Sequence, residues 1–365
     1  SRSRGAQIRS RAQYIEDGEK STSFFLGLEN SRQKKNVLKV IKHKGETHTS
    51  SEALLNAAAD FYDELYKSCK PKSNDISHYL QNLTNLKRLT DIERDSIEGK
   101  ITLAEASNAI KCLKPNKSPG LDGIPAEFYV KFWDKIGNII VNSFNESYDD
   151  GILSESQRQA VISLIFKKGD AELLHNYRPI SLTNSDYKIL AFCLANRLQI
   201  VIKNIIHPGQ VAYIKGRFIG TNVRLVHDIM EFYEKTERGG ILFALDFQKA
   251  YDSLEWEFLF QALREFNFGE MFISWIKTLY SHPVSFVKNN GYLSRPIDIQ
   301  RSVRQGCPVS CLLFIIAVEI MGHKIRNDKK LKGVTIPNCH INLKMLQYAD
   351  DGIAFLNTIE ELETQ

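Results

Sequence analysis

The sequence predicts a fold in which α-helices alternate with β-strands, of either the α/β or the α+β class. Segments with apolar residues at helical spacing alternate with short β-branched runs that have the length of strands. Hydrophobic residues make up 43% of the 365 residues and charged residues 25%, which is the balance of a globular protein. A chain of this length can bury a large core, in one multi-lobed domain or in two.

The composition argues against several classes of protein. The longest apolar run lies near residues 311–318 and is shorter than the roughly 20 residues that cross a bilayer, and no signal peptide opens the chain. The six cysteines have neither the CxxC spacing of a zinc site nor the density of a disulfide framework, so we expect free thiols. We therefore expect a soluble intracellular protein, in the nucleus or the cytoplasm, without membrane contact.

Positive charge is concentrated at the N-terminus. Residues 1–50 hold eleven Lys and Arg against five Asp and Glu, whereas the formal net charge of the whole chain is only +5. A basic segment attracts nucleic acid through counterion release, although a solvated basic face without a partner gives the same count. The charge alone leaves both interpretations open.

The first half of the chain is predicted to be mainly helical. Residues 51–66 have apolar residues at helical spacing after a serine-rich start, and residues 70–74 follow as a proline-containing linker. Thr102 opens a second helix with a capping-box pattern, and this helix ends before Pro115. Turn residues then predict a loop over 114–123.

The second half is predicted to alternate between strands and helices. Short β-branched runs end in turn residues, and longer segments with helical spacing lie between them. An Asn-Gly pair within the predicted strands of 283–299 indicates a hairpin. The other predicted strands are 160–166, 239–246, 341–347 and 352–356, of which we expect 239–246 to be buried. The predicted helices are 185–206, a segment ending near Lys235, 256–266 and 311–326.

Two adjacent carboxylates, Asp350 and Asp351, lie in the turn between the last two predicted strands. Carboxylates this close repel each other and lose hydration unless a cation neutralises them, and a hard divalent metal ion is the natural cation. Asp246 ends another predicted strand, so three acids can converge on two metal ions, the arrangement that supports nucleotidyl transfer. For an isolated Asp-Asp pair the alternative is ordinary turn chemistry.

Four motifs place this pair in an ordered series. Residues 176–182 read NYRPISL, 244–252 read ALDFQKAYD, 304–310 read RQGCPVS and 348–351 read YADD. In order and spacing they resemble motifs of the reverse transcriptases of LINE-type, non-LTR retrotransposons. Further likenesses to this family extend the resemblance over nearly the whole chain and lie at 15–20, 24–25, 117–123, 207–210 and 215–217.

The resemblance implies an α+β fold of the right-hand polymerase type, with fingers and palm. We expect a basic, mainly helical extension over residues 1–99 and the fingers and palm over 100–365, with the core motifs in 160–357. Because only residues 352–365 follow the second acid of the turn, we expect the thumb to be missing or truncated. LINE-type elements typically encode an endonuclease upstream, so we expect one in the parent protein.

The resemblance also implies which acids are catalytic. Asp246, Asp350 and Asp351 are expected to bind Mg²⁺ or Mn²⁺ as the catalytic triad. Asp252 belongs to the same motif as Asp246, but a predicted helix follows it closely, so we expect Asp252 to cap that helix.

Three further residues are expected at the nucleotide. Tyr251 occupies the family's steric-gate position, where a bulky ring excludes a ribose 2′-hydroxyl; the alternative is a core aromatic residue. Gln305 and Gly306 are expected to line the nucleotide site, the glycine because the backbone must approach the substrate closely.

Basic residues complete the expected site. Arg178, with Lys167 or Lys168, is expected to meet the triphosphate, because cations stabilise its charge. For the two lysines a solvated turn is the alternative. Lys215 and Arg217 are expected to contact the template backbone, with a solvated surface as the alternative.

The predicted function is RNA-directed DNA synthesis from an RNA template, a DNA primer and deoxynucleoside triphosphates. Two alternatives remain open. A truncated, catalytically inactive remnant would only bind RNA, through its basic N-terminus. An RNA-dependent RNA polymerase shares the palm chemistry but typically carries GDD and a smaller or polar gate residue.

Overall fold

The computed structural model describes residues 37–237, 239–336 and 341–358 of the chain, which form an α+β fold. The likenesses at 15–20 and 24–25, and most of the basic N-terminal segment, lie outside the described residues. The helices are α1 (Ser51–Tyr66), α2 (Ser73–Leu80), α3 (Asp91–Asp95), α4 (Leu103–Ile110), α5 (Ala126–Asp150), α6 (Glu155–Arg158), α7 (Ser185–Ile205), α8 (Ile219–Lys235), α9 (Trp256–Glu265), α10 (Glu270–Leu279) and α11 (Ser310–Asn327). Short 3-10 turns lie at Leu174–Asn176 and Ala250–Asp252.

The strands of the described residues form four sheets. Their bounds are β1 (Ile41–His43), β2 (Glu46–His48), β3 (Gln159–Phe166), β4 (Tyr177–Thr183), β5 (Ile241–Leu245), β6 (Val284–Asn289), β7 (Tyr292–Leu293), β8 (Ile297–Asp298), β9 (Val334–Ile336), β10 (Ile341–Leu343), β11 (Met345–Tyr348) and β12 (Asp351–Leu356). β1 pairs with β2 and β9 with β10, each as a small antiparallel hairpin. The two larger sheets have the orders β4-β3-β6-β7, with β8 paired to β6, and β11-β12-β5.

The N-terminal part packs into the larger molecule. Apolar side chains of α1, including Leu54, Ala58 and Tyr62, share one buried cluster with Ile162 of β3 and Val287 of β6. Burying such side chains stabilises the contact because their apolar surface leaves water. The predicted boundary between residues 99 and 100 therefore does not separate two cores in the described part of the chain.

A helical layer forms the largest core. Thr102 accepts a hydrogen bond from the backbone N–H of Glu105, whose carboxylate accepts one from the N–H of Thr102, so the predicted capping box opens α4. Helices α4, α7, α9, α10 and α11 bury their apolar faces against one another, with Trp275 and Phe272 fully enclosed.

Most predicted elements have their expected bounds, and three differ. The strand predicted over 341–347 is divided into β10 and β11, which lie in different sheets. The linker predicted over 70–74 is interrupted, because α2 begins at Ser73. The strand predicted over 239–246 is β5, and it is not buried: its residues alternate between half-buried and exposed, with Leu242 44% exposed. The reason is that β5 is an edge strand, paired only with β12 within the described ranges. No helix of the described residues is long and apolar enough to span a bilayer.

Candidate functional site

The turn between β11 and β12 presents two acids. Tyr348 pairs with Asp351 in the antiparallel register, which leaves Ala349 and Asp350 as the two turn residues. Ala349 has the left-handed value φ = 55° and is buried, a conformation that costs free energy for any residue other than glycine. The turn therefore needs support from outside the hairpin.

Strand β5 delivers the third acid to the same place. Leu245 pairs with Gly352 of β12, so Asp246 stands opposite Asp351 one residue further along this antiparallel register. The structure thus brings together Asp246, Asp350 and Asp351, which the sequence singled out on separate segments. Asp246 and Asp351 are exposed and Asp350 is half-buried.

The three carboxylates interact electrostatically. Burial raises the pKa of Asp350 above its ordinary value, and the negative charges of Asp351 and Asp246 raise the pKa further. The ammonium of Lys167 acts in the opposite direction on the pKa of Asp350. Asp350 therefore lies in a negative environment that a cation would relieve.

The donor chemistry at this turn suits a hard divalent cation, because carboxylate oxygens are the ligands that such ions prefer. Within the residues that the structure describes, however, no three His, Cys, Asp or Glu side chains stand close enough together to hold one metal ion. The three acids fit the metal in kind and in charge, but their side chains do not form a closed cage. Metal binding by Asp246, Asp350 and Asp351 stays a prediction.

Gln210 supports the strained turn, and the sequence did not reveal this role. Its side-chain Oε1 accepts from the backbone N–H of Ala349 at 3.0 Å and from that of Ala212 at 3.0 Å. Its Nε2 donates to the carbonyl of Ala349 at 3.2 Å. Gln210 is only 1% exposed, so these bonds are shielded from water. One side chain therefore holds both backbone groups of the residue that precedes Asp350.

The loop that carries Gln210 also binds β11 through its backbone. The N–H of Gln347 donates to the carbonyl of Gly209 at 2.9 Å, and the N–H of Val211 donates to the carbonyl of Gln347 at 3.2 Å. The side chain of Asn222 donates to the carbonyls of Gly209 and Gln347. Residues 207–210, noted in the sequence only as a family likeness, thus brace the β11–β12 hairpin.

Tyr251 lies in the loop after β5. Its ring stacks on Phe314 of α11, with centroids 4.5 Å apart and an angle of 22° between the planes. Its carbonyl accepts from the N–H of Val303 at 2.9 Å. Tyr251 is half-buried, so the ring has both a core contact and an accessible part. This position is compatible with the gate and with the alternative of a core aromatic residue.

The backbone of Gln305 and Gly306 lies against strand β4. The N–H of Ser181 donates to the carbonyl of Gln305 at 2.8 Å. Gly306 has φ = 108°, and a Cβ at this position would lie 3.0 Å from the carbonyl oxygen of Ser181. A glycine is therefore required here by the backbone itself, beside any approach of a substrate.

Asp252 does not cap the following helix, so this expectation was wrong. Helix α9 begins at Trp256 after Glu255, and Asp252 ends the 3-10 turn Ala250–Asp252. Its carboxylate is 2% exposed and accepts hydrogen bonds from Nε2 of Gln305 at 3.2 and 3.1 Å. The 3-10 turn directs the carboxylate inward, away from the start of α9.

Three cations lie at the tip of the β3–β4 hairpin. Lys167 and Lys168 follow β3, and Arg178 pairs with Ile165 across the hairpin. All three side chains are exposed, and none forms an ion pair with another described residue. Because Lys167 affects the pKa of Asp350, this tip lies within electrostatic reach of the acids.

Arg217 has a structural role that argues against the predicted template contact. Its guanidinium donates to the backbone carbonyls of Lys203, Ile206, His207 and Gln210 at 2.6 to 3.2 Å. These bonds tie the end of α7 to the loop that carries Gln210. They leave little donor capacity for a phosphate. Lys215 is exposed and remains a candidate for the template backbone.

The chain is similar to known proteins over nearly its whole length. The family model for reverse transcriptase (RNA-dependent DNA polymerase) matches residues 165–365. The chain is 35% identical to the uncharacterized 149 kDa protein of transposon TX1 from Xenopus laevis, over 99% of the chain and 27% of that protein. It is 26% identical to the retrovirus-related Pol polyprotein of the type-2 retrotransposable element R2DM from Drosophila melanogaster, over 67% of the chain and 22% of that protein. The chain thus spans about a quarter of the length of these relatives.

Proposed function

Since the chain belongs to the reverse transcriptase (RNA-dependent DNA polymerase) family, we propose that it supplies RNA-directed DNA synthesis to a LINE-type, non-LTR retrotransposon. The observation that carries this proposal is the strand register that puts Asp246, Asp350 and Asp351 at the same end of the β11-β12-β5 sheet. Its substrates would be an RNA template, a DNA primer and deoxynucleoside triphosphates.

The three acids would hold the divalent cations, Mg²⁺ or Mn²⁺. Bound there, such ions lower the pKa of the primer 3′-hydroxyl and neutralise the charge that develops on the leaving pyrophosphate. Gln210 keeps the backbone before Asp350 in its strained conformation, and β5 keeps Asp246 in register with β12. The residues of the chain thus fix the positions of the carboxylates before any substrate arrives.

The nucleotide would lie between the acids and the tip of the β3–β4 hairpin. Lys167, Lys168 and Arg178 are free to meet its triphosphate, because they are exposed and have no ion-pair partner among the described residues. Gln305 and Gly306 would line the same site. Tyr251 would exclude a 2′-hydroxyl through the accessible part of its ring.

In this proposal the β4-β3-β6-β7 sheet belongs to the fingers and the β11-β12-β5 sheet to the palm of a right-hand polymerase. Lys215 would contact the template backbone, whereas Arg217 would act only as a support of the hairpin. An endonuclease in the parent protein remains an expectation from the resemblance.

Primer extension tests the proposal. The full chain is incubated with poly(rA)/oligo(dT), deoxythymidine triphosphate and Mg²⁺ or Mn²⁺, and compared with Asp350→Ala. We expect incorporation by the natural chain and at least a hundredfold loss in the variant, because one catalytic carboxylate is missing. Asp134→Ala, at an exposed position of α5, is the matched control and should retain activity.

The result also decides between the alternatives. No incorporation by the natural chain, together with RNA binding that weakens with salt and is unchanged in Asp350→Ala, would support the RNA-binding remnant. Preferential incorporation of ribonucleotides would support an RNA polymerase and contradict the role of Tyr251 as a gate.

A further inference from the structure

Asp252 is a buried carboxylate that the acid triad does not use. It lies six positions after Asp246, is 2% exposed, and has no ion-pair partner within 4 Å among the described residues. Burial of an ionised carboxylate is costly unless other groups stabilise its charge. The groups that contact Asp252 should therefore be those that stabilise its buried carboxylate.

The main contact of Asp252 is the side-chain amide of Gln305. Both carboxylate oxygens accept from Nε2 of Gln305, at 3.2 and 3.1 Å. An ionised carboxylate can only accept hydrogen bonds, so the amide must turn its NH₂ group toward Asp252. The carbonyl Oε1 of Gln305 then faces the other way, as an acceptor.

A second contact comes from the N-terminal part of the chain. The hydroxyl of Tyr66, the last residue of α1, donates to Oδ1 of Asp252 at 3.4 Å. The Tyr66 ring stacks on Tyr62, with centroids 5.8 Å apart, and both rings are buried. Tyr66 thus belongs to the cluster that α1 shares with the β4-β3-β6-β7 sheet.

The end of α1 is held firmly against the segments that carry Asp252 and Gln305. Arg301 donates twice to the carbonyl of Leu65, at 2.8 and 3.0 Å. Glu255 accepts from the side chain of Ser68 at 2.7 Å and from the N–H of Cys69 at 3.0 Å. These bonds bracket Tyr66 on both sides, so its hydroxyl is fixed relative to Asp252.

We propose that Asp252, supported by Tyr66, is a positioning residue that locks the Gln305 amide with its carbonyl oxygen toward the incoming nucleotide. The inference rests on the proposed function, because the nucleotide site is part of that function. The nucleotide is then recognised through a hydrogen-bond donor that it offers to Oε1. The N-terminal helix thereby takes part in nucleotide selection without touching the substrate.

Asp252→Asn tests the lock, because asparagine has nearly the same shape but presents a donor as well as an acceptor. Single-nucleotide incorporation is measured on poly(rA)/oligo(dT) with the full chain. We expect the KM for deoxythymidine triphosphate to rise on the order of tenfold, with a small change in kcat. Tyr66→Phe should raise the KM in the same direction by less.

A double-mutant cycle separates positioning from a general structural effect. Gln305→Ala should itself raise the KM, and adding Asp252→Asn to it should raise the KM no further, since Asp252 acts through Gln305. The proposal would be overturned if the fold-increases in KM of the two single variants multiplied in the double variant. The matched control is Asp186→Asn, which removes a half-buried acid that also bonds to a glutamine, Gln157, and should leave the KM unchanged.

The pH profile supplies an independent readout. Burial raises the pKa of Asp252 to about 6, against the opposing effect of Lys249, the bonds from Gln305 and Tyr66, and Arg301. The KM of the natural chain should therefore rise as the pH falls through about 6, relative to Asp252→Asn measured alongside, in which this component is absent. The comparison cancels titration of the nucleotide itself. Equal profiles would contradict the lock.

Binding distinguishes failure of this inference from failure of the proposed function. If the natural chain incorporates no nucleotide, the thermal shift that deoxythymidine triphosphate causes in the presence of poly(rA)/oligo(dT) is measured instead. A shift that is weakened by Asp252→Asn and not by Asp186→Asn keeps the inference while the polymerase activity fails. The absence of any shift in the natural chain would overturn both.

Discussion

Single residues decide whether the acids at the β11–β12 turn are held in place. Ala349 adopts φ = 55° with its backbone groups bonded to one side chain, that of Gln210. A non-glycine residue in this conformation persists only when its surroundings hold it there. The position of Asp350 therefore depends on a glutamine that bonds to the backbone of the preceding residue.

Gln210→Glu is the sharpest test of this support. A carboxylate still accepts from the N–H groups of Ala349 and Ala212, but it cannot donate to the Ala349 carbonyl and faces it with a negative charge. We expect a loss of kcat of about 10 to 100-fold, because small displacements of catalytic groups are costly.

The dependence of activity on the Mg²⁺ concentration distinguishes two causes of a lower activity in Gln210→Glu. One is a displaced Asp350, and the other is a smaller fraction of folded protein. The Mg²⁺ concentration for half-maximal activity should rise in Gln210→Glu, whereas partial unfolding would lower activity equally at every concentration. Gln261→Glu, at a half-buried position of α9 where the side chain bonds to Glu257 of the same helix, is the control. An unchanged metal dependence would mean that Gln210 does not act on Asp350.

His207 makes stability depend on pH near this loop. Burial, then the charges of Arg326, Lys87 and Arg217, lower the pKa of His207 from 6.5 to about 4. Its neutral Nδ1 accepts from the N–H of Gly209 at 3.0 Å. Below pH 6.5 His207 becomes protonated in the unfolded chain but stays neutral in the folded chain. The free energy of unfolding therefore decreases as the pH falls from 6.5 toward 4.

We expect His207→Gln to remove that loss. Between pH 6.5 and 4 the natural chain should lose on the order of 2 kcal/mol more than the variant, after allowance for the partial exposure of the ring. Urea unfolding at several pH values measures the difference. If the free energies of unfolding of the two proteins change in parallel with pH, His207 is protonated as readily in the folded chain as in the unfolded chain.

The sequence predicted the acids but not their supports. The aspartates are visible locally, because each lies beside an apolar run and the repulsion between Asp350 and Asp351 follows from their adjacency in the sequence. Gln210 and Ala349 are 139 positions apart, and Asp252 and Gln305 are 53 apart. Contacts over such separations arise from the fold, and one sequence has no signal for them beyond the motif in which each residue lies.

At the scale of elements, local chemistry predicted most bounds. The capping box at Thr102 opens α4, and the Asn290-Gly291 pair forms the hairpin turn with φ values of 48° and 87°. The exposure of β5 could not be predicted, because an apolar run gives no sign of whether its strand has one neighbour or two.

Arg197 joins α7 to the segment before α4. It is 6% exposed, donates to the carbonyls of Ile97, Gly99 and Lys100, and pairs with the Glu105 carboxylate at 2.5 Å. A lysine has one nitrogen and cannot reproduce this fork. We expect Arg197→Lys to destabilise the chain by about 3 kcal/mol, because several carbonyls lose their donors inside the core.

Thermal and urea unfolding measure this change. The control is Arg224→Lys, whose ion pair with Asp228 lies on the exposed face of α8 and should contribute less than about 0.5 kcal/mol. Equal effects of the two substitutions would show that the buried guanidinium of Arg197 contributes no more to the free energy of unfolding than the exposed one of Arg224.

At the scale of the whole molecule, the sequence divides the chain where the structure does not. The resemblance placed a boundary at residues 99 and 100, between a basic, mainly helical extension and the expected fingers and palm. Yet Ile97 and Ile101 are buried in the main helical core, and α1 packs on the β4-β3-β6-β7 sheet. Whether two segments share a core depends on contacts between residues far apart in the sequence. The positions of motifs along the chain do not predict such contacts.

Limited trypsin digestion tests this unity. The peptide bond after Lys100 is paired on both sides: the Lys100 carbonyl accepts from Arg197 at 2.9 Å, and the N–H of Ile101 donates to Asn145 at 3.0 Å. Lys117 lies in an exposed loop between α4 and α5. A protease needs a stretch of backbone that can open locally. We therefore expect cleavage after Lys117 long before cleavage after Lys100.

Mass spectrometry of the early fragments identifies the cut. Arg197→Lys should bring forward cleavage after Lys100 without changing the rate after Lys117, because it releases the carbonyls of the first segment only. Early cleavage after Lys100 in the natural chain would mean that residues 37–99 separate readily from the rest. That result would contradict nucleotide selection through Tyr66, since α1 could not stay fixed against Asp252.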